Sequence, residues 1–317
     1  MGFLVIILFQ FSSAQSLQFP QDEGKHNGVD FESWSLLAHL SGQDSGKFGI
    51  AIFFFRGKII GLNASGVYVV VVDEEQQTFN NYQKVQLPLI NRATHTRGRL
   101  MEKYGRNVVK RDPEGGPYQV AIDIKDFKLN LLMDPSKALI DVGRIAVGSK
   151  RYTRSYAAPR GRVSGRMQYQ GKETVLSGIG LFQHQWGDTP EKYAASNMFV
   201  VHLDDGADII AYYSDRFPDI NNLVLSDNKD IVVSMHDFNA RPDTLYTVDA
   251  TRDRFELGWK IESEMRDLSL FLKPSFDGQE ISMLGTSYWL ARCQVEGCFG
   301  GQSQSGIGYI YIREAGR

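Results

Sequence analysis

Cysteine is nearly missing from this chain, with only Cys293 and Cys298 among 317 residues. So sparse a supply excludes the disulfide framework of a small secreted scaffold, and an isolated C-x4-C lacks the second ligand pair of a structural zinc site. Two readings of the pair stay open, a bridge across an intervening turn and two free thiols. An excess of one charge is missing as well. Lys and Arg number 35 against 37 Asp and Glu, a net charge of −2. No broad positive field exists to hold a phosphate backbone, so nucleic acid is not an expected partner. Past the N-terminus, no window reaches the roughly 18 apolar residues that a membrane-spanning helix needs. The phosphate-loop, G-x-S-x-G and H-E-x-x-H patterns are absent too. Their chemistries have no support here, and neither a metal nor an organic cofactor is expected.

The chain does offer aromatics, at 12% of residues, and punctuation, with 31 Gly and 10 Pro. Short β-rich runs at 34–40, 49–55, 67–72, 79–87, 118–124 and 127–133 are separated by Gly, Asp, Asn and Pro. Residues 155–169 and 173–183 follow as a hairpin joined at Gln170-Gly171-Lys172. About eight strands result, enough to close a small barrel. A second series runs through 197–203, 208–213, 223–225, 231–235, 257–261, 268–272, 287–294 and 308–312. The expected architecture is all-β, with two antiparallel β-barrel domains in tandem over 30–192 and 193–317. Residues 88–117 read as an extended loop over a barrel mouth, and 188–198 as a short helical connector. At the N-terminus an apolar run over 3–11 precedes Ser12-Ser13-Ala14, small residues placed as a cleavage site requires. Residues 1–14 are thus expected to be a signal peptide of an exported, periplasmic or secreted protein. No Lys or Arg stands in that segment, which keeps a membrane anchor as the alternative. Residues 15–29 lack periodicity and read as a flexible leader.

Several motifs fall into a recognisable order. Ser33-Trp34 leads to His39-Leu40, then Phe48-Gly49 runs into Phe53-Phe54-Phe55-Arg56. Gly178-Ile179-Gly180-Leu181-Phe182-Gln183-His184-Gln185-Trp186-Gly187-Asp188 carries an H-x-W-G sequence at a strand end, and Tyr213-Ser214-Asp215 forms a Y-x-D element. Tyr288-Trp289 and Gly306-Ile307-Gly308-Tyr309 stand near the C-terminus. The pattern resembles the carotenoid 1,2-hydratase and AttH-like family of two-domain lipocalin-like proteins. That resemblance implies calycin-type barrels and cofactor-free chemistry on an isoprenoid, polyene or polyketide-like substrate, either hydration of a C=C bond or cyclisation. An acidic residue expected soon after the C-terminal Trp is replaced by Leu290.

Alternation within a strand places Phe182, His184 and Trp186 on one face and Gln183 and Gln185 on the other. By the same rule Tyr213 and Asp215 share a face at the end of a later strand. If the two strand ends meet, an imidazole, a carboxylate, a phenol and an indole ring one cavity mouth, a composition suited to a hydrophobic ligand. The expected catalytic set is therefore His184, Trp186, Tyr213 and Asp215, with Asp215 as acid and His184 as the water-handling base. Trp34, His39, Phe182 and Gln185 complete the expected ligand site, although His39 falls on a different face from Trp34. A packing role for the same residues, with Trp186 as a barrel plug, stands beside this reading. A non-catalytic carrier of a hydrophobic small molecule is the alternative function. Arg160, Arg162 and Arg166 are expected to form a solvated strand face.

Overall fold

The computed structural model describes residues 16–59, 62–86, 93–147, 151–188, 197–247, 254–283 and 286–313. Two curled antiparallel sheets account for most of them. The first contains β1 (Phe31–Gly42), β2 (Lys47–Ile59), β3 (Leu62–Asp73), β4 (Thr78–Gln86), β5 (Ala93–His95), β6 (Met101–Tyr104), β7 (Asn107–Asp112), β8 (Gly115–Ile124), β9 (Phe127–Pro135), β10 (Ile140–Val147), β11 (Arg151–Tyr169) and β12 (Lys172–Gly187). Its order is β4-β3-β2-β1-β12-β11-β9-β8-β7-β6-β5, with β10 also paired to β11. The second contains β13 (Asn197–Leu203), β14 (Asp208–Tyr213), β15 (Asn222–Ser226), β16 (Val232–Met235), β17 (Asn239–Thr247), β18 (Arg254–Ser263), β19 (Leu268–Pro274), β20 (Glu280–Met283), β21 (Thr286–Phe299) and β22 (Gln302–Arg313). Its order is β16-β15-β14-β13-β22-β21-β19-β18-β17, with β20 also paired to β21. In both sheets the first strand pairs with the last and a branch strand joins the penultimate one. The molecule is thus two half-barrels of one design, as the strand pattern implied.

Each half-barrel wraps its own core. Trp34, Leu36, Ala38 and Leu40 on β1 face inward with Phe182 and Trp186 on β12, while Phe199, Val201, Trp259, Trp289 and Ile310 fill the second interior. A third apolar layer, including Leu37, Tyr68, Val70, Leu181, Ile210, Tyr212 and Tyr309, glues the outer faces of the two sheets together. Strands in this seam are covered on both sides. Continuous apolar sequence is the consequence, as in Val67-Tyr68-Val69-Val70-Val71-Val72 of β3.

The structure corrects several expectations. Residues 93–112, read as part of a loop, form β5, β6 and β7, whose polar composition hides the alternation Leu100, Glu102, Tyr104 facing inward. Residues 16–29 are no loose leader. Pro20 precedes a 3-10 turn at Gln21–Glu23, Glu23 is buried, and the Lys25 N–H donates to the Thr96 carbonyl. Gly24 passes so close to Arg99 that a Cβ would lie 2.7 Å from its backbone, so only glycine fits there. Arg160 is drawn into the seam because one extra residue between Ala158 and Gly161 bulges β11 and breaks its alternation. Arg162 and Arg166 do lie on the solvated face. Cys293 and Cys298 stand on one continuous strand without an intervening turn, five residues or about 16 Å apart, and both are free thiols. The expected signal peptide lies outside the described residues, as does 189–196 of the expected connector.

Candidate active site

Strand register assembles the site row by row. In the outermost row Arg56 on β2 stands opposite Glu32 on β1, which in turn stands opposite Trp186 on β12. The next row is Phe54, Trp34, His184 and Tyr156, contributed by β2, β1, β12 and β11. Below it Ile52, Leu36, Phe182 and Ala158 are apolar and buried. A polar and aromatic layer therefore rests on an apolar floor at one end of the first half-barrel.

Glu32 is the hub. Its Oε1 lies 2.8 Å from His26 Nδ1 and 3.1 Å from His184 Nε2, while the Arg56 Nε–H donates to Oε2 at 2.5 Å. Burial alone would raise its carboxyl. Its close contacts with the His184 and His26 imidazoles and the charge of Arg56 overcome that and hold it at about 2. His184 is completely buried, and desolvation pushes its imidazole below the ordinary value despite Glu32. Rings fix its plane: Trp34 stacks on it with centroids 4.7 Å apart, and Tyr156 meets it edge-on at 5.6 Å. Trp186 stacks flat on His26 at 4.1 Å.

A second carboxylate enters the same layer from β6. Glu102 is fully buried and pairs with His95 Nδ1 through Oε2, while its Oε1 has no hydrogen-bond partner. Burial raises its carboxyl above the usual value, and the charge of Glu32 pushes the same way. On the far side of Tyr156, Arg111 donates to Glu23 at 2.5 Å and to Tyr118 at 3.1 Å, and Tyr118 stacks on Phe182 at 3.9 Å. The N-terminal segment closes the layer from above. Trp34 Nε1–H donates to the Glu23 carbonyl at 3.0 Å, His184 Nδ1 lies 2.9 Å from the Asp22 carbonyl, and Phe19 meets Tyr156 edge-on at 4.9 Å.

The expected residues divide into groups. His184, Trp186, Trp34 and Phe182 share the first interior, as alternation required. Gln185 faces away from His184, half-buried, and Gln183 donates to the Tyr212 hydroxyl in the seam at 2.5 Å. His39 also turns into the seam, stacked on Tyr309 at 4.5 Å and edge-on to His202 at 5.7 Å. Tyr213 and Asp215 do not join His184. Tyr213 belongs to the second core and donates to an exposed Asp215 at 2.6 Å. Alternation assigned each residue a face but could not say which half-barrel that face enclosed. Glu32, Glu102, His26 and Arg56 were missed. The signal for Glu32 and Glu102 was a carboxylate on an otherwise apolar face, two residues from Trp34 and from Tyr104. His26 had no signal, because its segment has no period.

A family model described as AttH-like matches residues 10–313, nearly the whole chain. The chain belongs to the AttH-like family. Two solved structures share its architecture. One, from Nitrosomonas europaea and assigned to AttH, superposes with a TM-score of 0.81 at 22% identity, covering 95% of this chain and 98% of that one. The other is kievitone hydratase from Nectria haematococca, with a TM-score of 0.76 at 14% identity over 94% of this chain and 93% of that one. A search of curated proteins finds no match. At these identities the likeness fixes the fold of this AttH-like protein, and its chemistry has to be argued from the site.

Proposed function

We propose that this AttH-like protein is a hydratase-type enzyme that adds water to a C=C bond of an apolar, isoprenoid- or polyene-like substrate at the mouth of the first half-barrel. One observation carries the reading. The two half-barrels share a topology, yet among the described residues only the first encloses buried Glu and His side chains, with Arg56 half-buried beside them, whereas the polar groups of the second core are Tyr213, Ser263 and Cys293. A fold that needed such a cluster for stability would carry it twice.

Hydration needs an acid to protonate one carbon, surroundings that tolerate the resulting cation, and a base for the water. Glu102 is the acid, its carboxyl raised above the usual value by burial. Trp34, Trp186 and Tyr156 offer ring faces to the cation. Water is held at His184 and Glu32. Its oxygen bonds to the second carbon and its released proton passes to His184; after the mouth opens His184 returns that proton to solvent and Glu102 takes one up. Two carboxylates whose surroundings drive them in opposite directions are the mark of such a division of labour. Cyclisation of a polyene through the same cation would use the same acid and rings. Kievitone hydratase, a hydratase by name, agrees with the reaction class.

Leu17 and Phe19 of the N-terminal segment lie where an apolar substrate would enter. Substrate displaces them. Turnover of a series of prenylated probes with a trisubstituted alkene tests the proposal. Glu102→Gln is expected to lose about 10²–10⁴-fold in kcat, with Glu102→Asp intermediate. Equal turnover by wild type and Glu102→Gln would refute it. The closed lid also favours a second reading, a carrier that holds the same apolar molecule without transforming it. Stoichiometric binding of these probes without turnover would support that reading. An exported location, resting on residues 1–14, completes the proposal.

A further inference from the structure

The hydrogen-bond arithmetic around Glu32 leaves a conspicuous surplus of acceptors. His184 Nδ1 faces the Asp22 carbonyl oxygen at 2.9 Å, an atom that can only accept, so Nδ1 carries the hydrogen. His26 Nε2 faces Asp22 Oδ1 at 3.2 Å, which fixes its hydrogen on Nε2 in the same way. In the neutral rings the remaining nitrogens, His184 Nε2 and His26 Nδ1, both turn lone pairs toward Glu32 Oε1. That oxygen already accepts the backbone N–H of His26 at 3.0 Å. Three lone-pair atoms thus converge within 4.8 Å of one another. Two added protons would reconcile them. One divalent cation would do so as well, without placing two imidazolium charges in a buried layer that already contains Arg56.

We propose that His26 Nδ1, Glu32 Oε1 and His184 Nε2 form a binding site for a divalent transition-metal cation of the zinc type. Two imidazoles and one carboxylate are a donor set suited to such ions, with a coordination position left for water. The surrounding contacts have the form that metal sites show. Each histidine's outer ring nitrogen is held by an acceptor of Asp22, and the second carboxylate oxygen is held by Arg56. Trp34 and Trp186 lock the ring planes by stacking. His26 comes from the N-terminal segment while Glu32 and His184 come from β1 and β12, so the cation would also pin that segment over the barrel. The proposal is tested separately from the hydratase reading, because binding is measured without substrate; a cation on His184 Nε2 occupies the lone pair that reading assigns to the water's proton, so the two describe different states of the site.

Full-length protein, stripped with a chelator and dialysed, is titrated with Zn²⁺ by calorimetry and with Co²⁺ by visible absorption. One ion per chain is expected, with a Co²⁺ ligand-field band in the visible. His26→Ala is expected to weaken binding at least tenfold. This substitution removes the half-buried ligand, so the variant tests the site even if Glu32 or His184 variants fail to fold. Asp22→Asn, which alters the positioning of His26, is expected to weaken binding about 10–100-fold while leaving the Co²⁺ band shape intact. Failure of the wild type to bind stoichiometric Zn²⁺, or equal affinity in His26→Ala, would overturn the assignment and leave imidazolium protons as the bridging charges. Loss of hydration activity alone would bear only on the proposed reaction.

Discussion

At the scale of single residues, Glu32 is both the organiser of the site and a source of stability. Its carboxylate touches His26, His184 and Arg56, and removing the charge leaves the Arg56 guanidinium, only 18% exposed, without its carboxylate partner and with the His26 carbonyl as its remaining acceptor. Glu32→Gln is expected to cost about 3–5 kcal/mol, the usual penalty for breaking a buried ion pair from one side, as measured by denaturant unfolding. A loss below about 1 kcal/mol would mean that the cluster is solvated in solution. Tyr156 and Trp34 are not interchangeable with other apolar residues here. Each presents a ring to His184 and fixes the direction of its nitrogens.

At the scale of elements, the N-terminal segment deserves to be treated as part of the barrel. It contributes the Glu23 and Asp22 carbonyls, His26 and the Phe19 ring to the layer that it covers. Of the four tryptophans, Trp34 and Trp186 lie beneath this segment and Trp259 and Trp289 lie in the second core. Truncation through Gly24 is expected to open the first pair alone to acrylamide, so that about half of the fluorescence becomes quenchable. Uniform protection after truncation would show that the segment is no lid. Much of this element logic was legible beforehand. Alternation grouped Phe182, His184 and Trp186, and the Gln170-Gly171-Lys172 turn located the β11 and β12 hairpin, where Gln170 and Gly171 both adopt positive φ. The N-terminal segment and β5 to β7 were not legible, because long-range contacts order short polar stretches that carry little periodic signal. The proposed partnership of His184 with Asp215 failed for a related reason. Strand period reports side-chain direction, whereas partnership across the molecule depends on which sheet each strand joins.

At the scale of the whole molecule, the seam between half-barrels combines apolar packing with buried charge. Asp208 is clamped by Arg160 at 2.9 Å, Lys137 at 2.8 Å and His202 at 2.6 Å, and the Tyr309 hydroxyl donates to the Ala38 carbonyl at 2.8 Å. His39 sits beside this network with both ring nitrogens buried and unpartnered. Burial, with the charges of His202 and Arg292, pushes its imidazole well below the usual value. The unfolded chain therefore binds a proton that the folded seam rejects. Stability is expected to fall as pH drops below about 6.5, by up to about 1.4 kcal/mol per pH unit for this one proton. His39→Leu should abolish that component. Asp208, lowered against its burial by His202, Arg160 and Lys137, adds a later loss below about pH 4. Unfolding curves of wild type and His39→Leu at pH 7 and 5.5 would separate the two, and parallel pH profiles would contradict the account of the seam.

Asymmetry between two similar half-barrels is central to the proposed function, which assigns the chemistry to the first, at His184, and not to the Tyr213–Asp215 end of the second. The most direct test incubates wild type, His184→Ala and Asp215→Asn with prenylated alkene probes in H₂¹⁸O and measures ¹⁸O in the product by mass spectrometry. Wild type and Asp215→Asn are expected to incorporate one labelled oxygen at similar rates, with incorporation lost in His184→Ala. Undiminished incorporation by His184→Ala, or its loss in Asp215→Asn alone, would contradict the account.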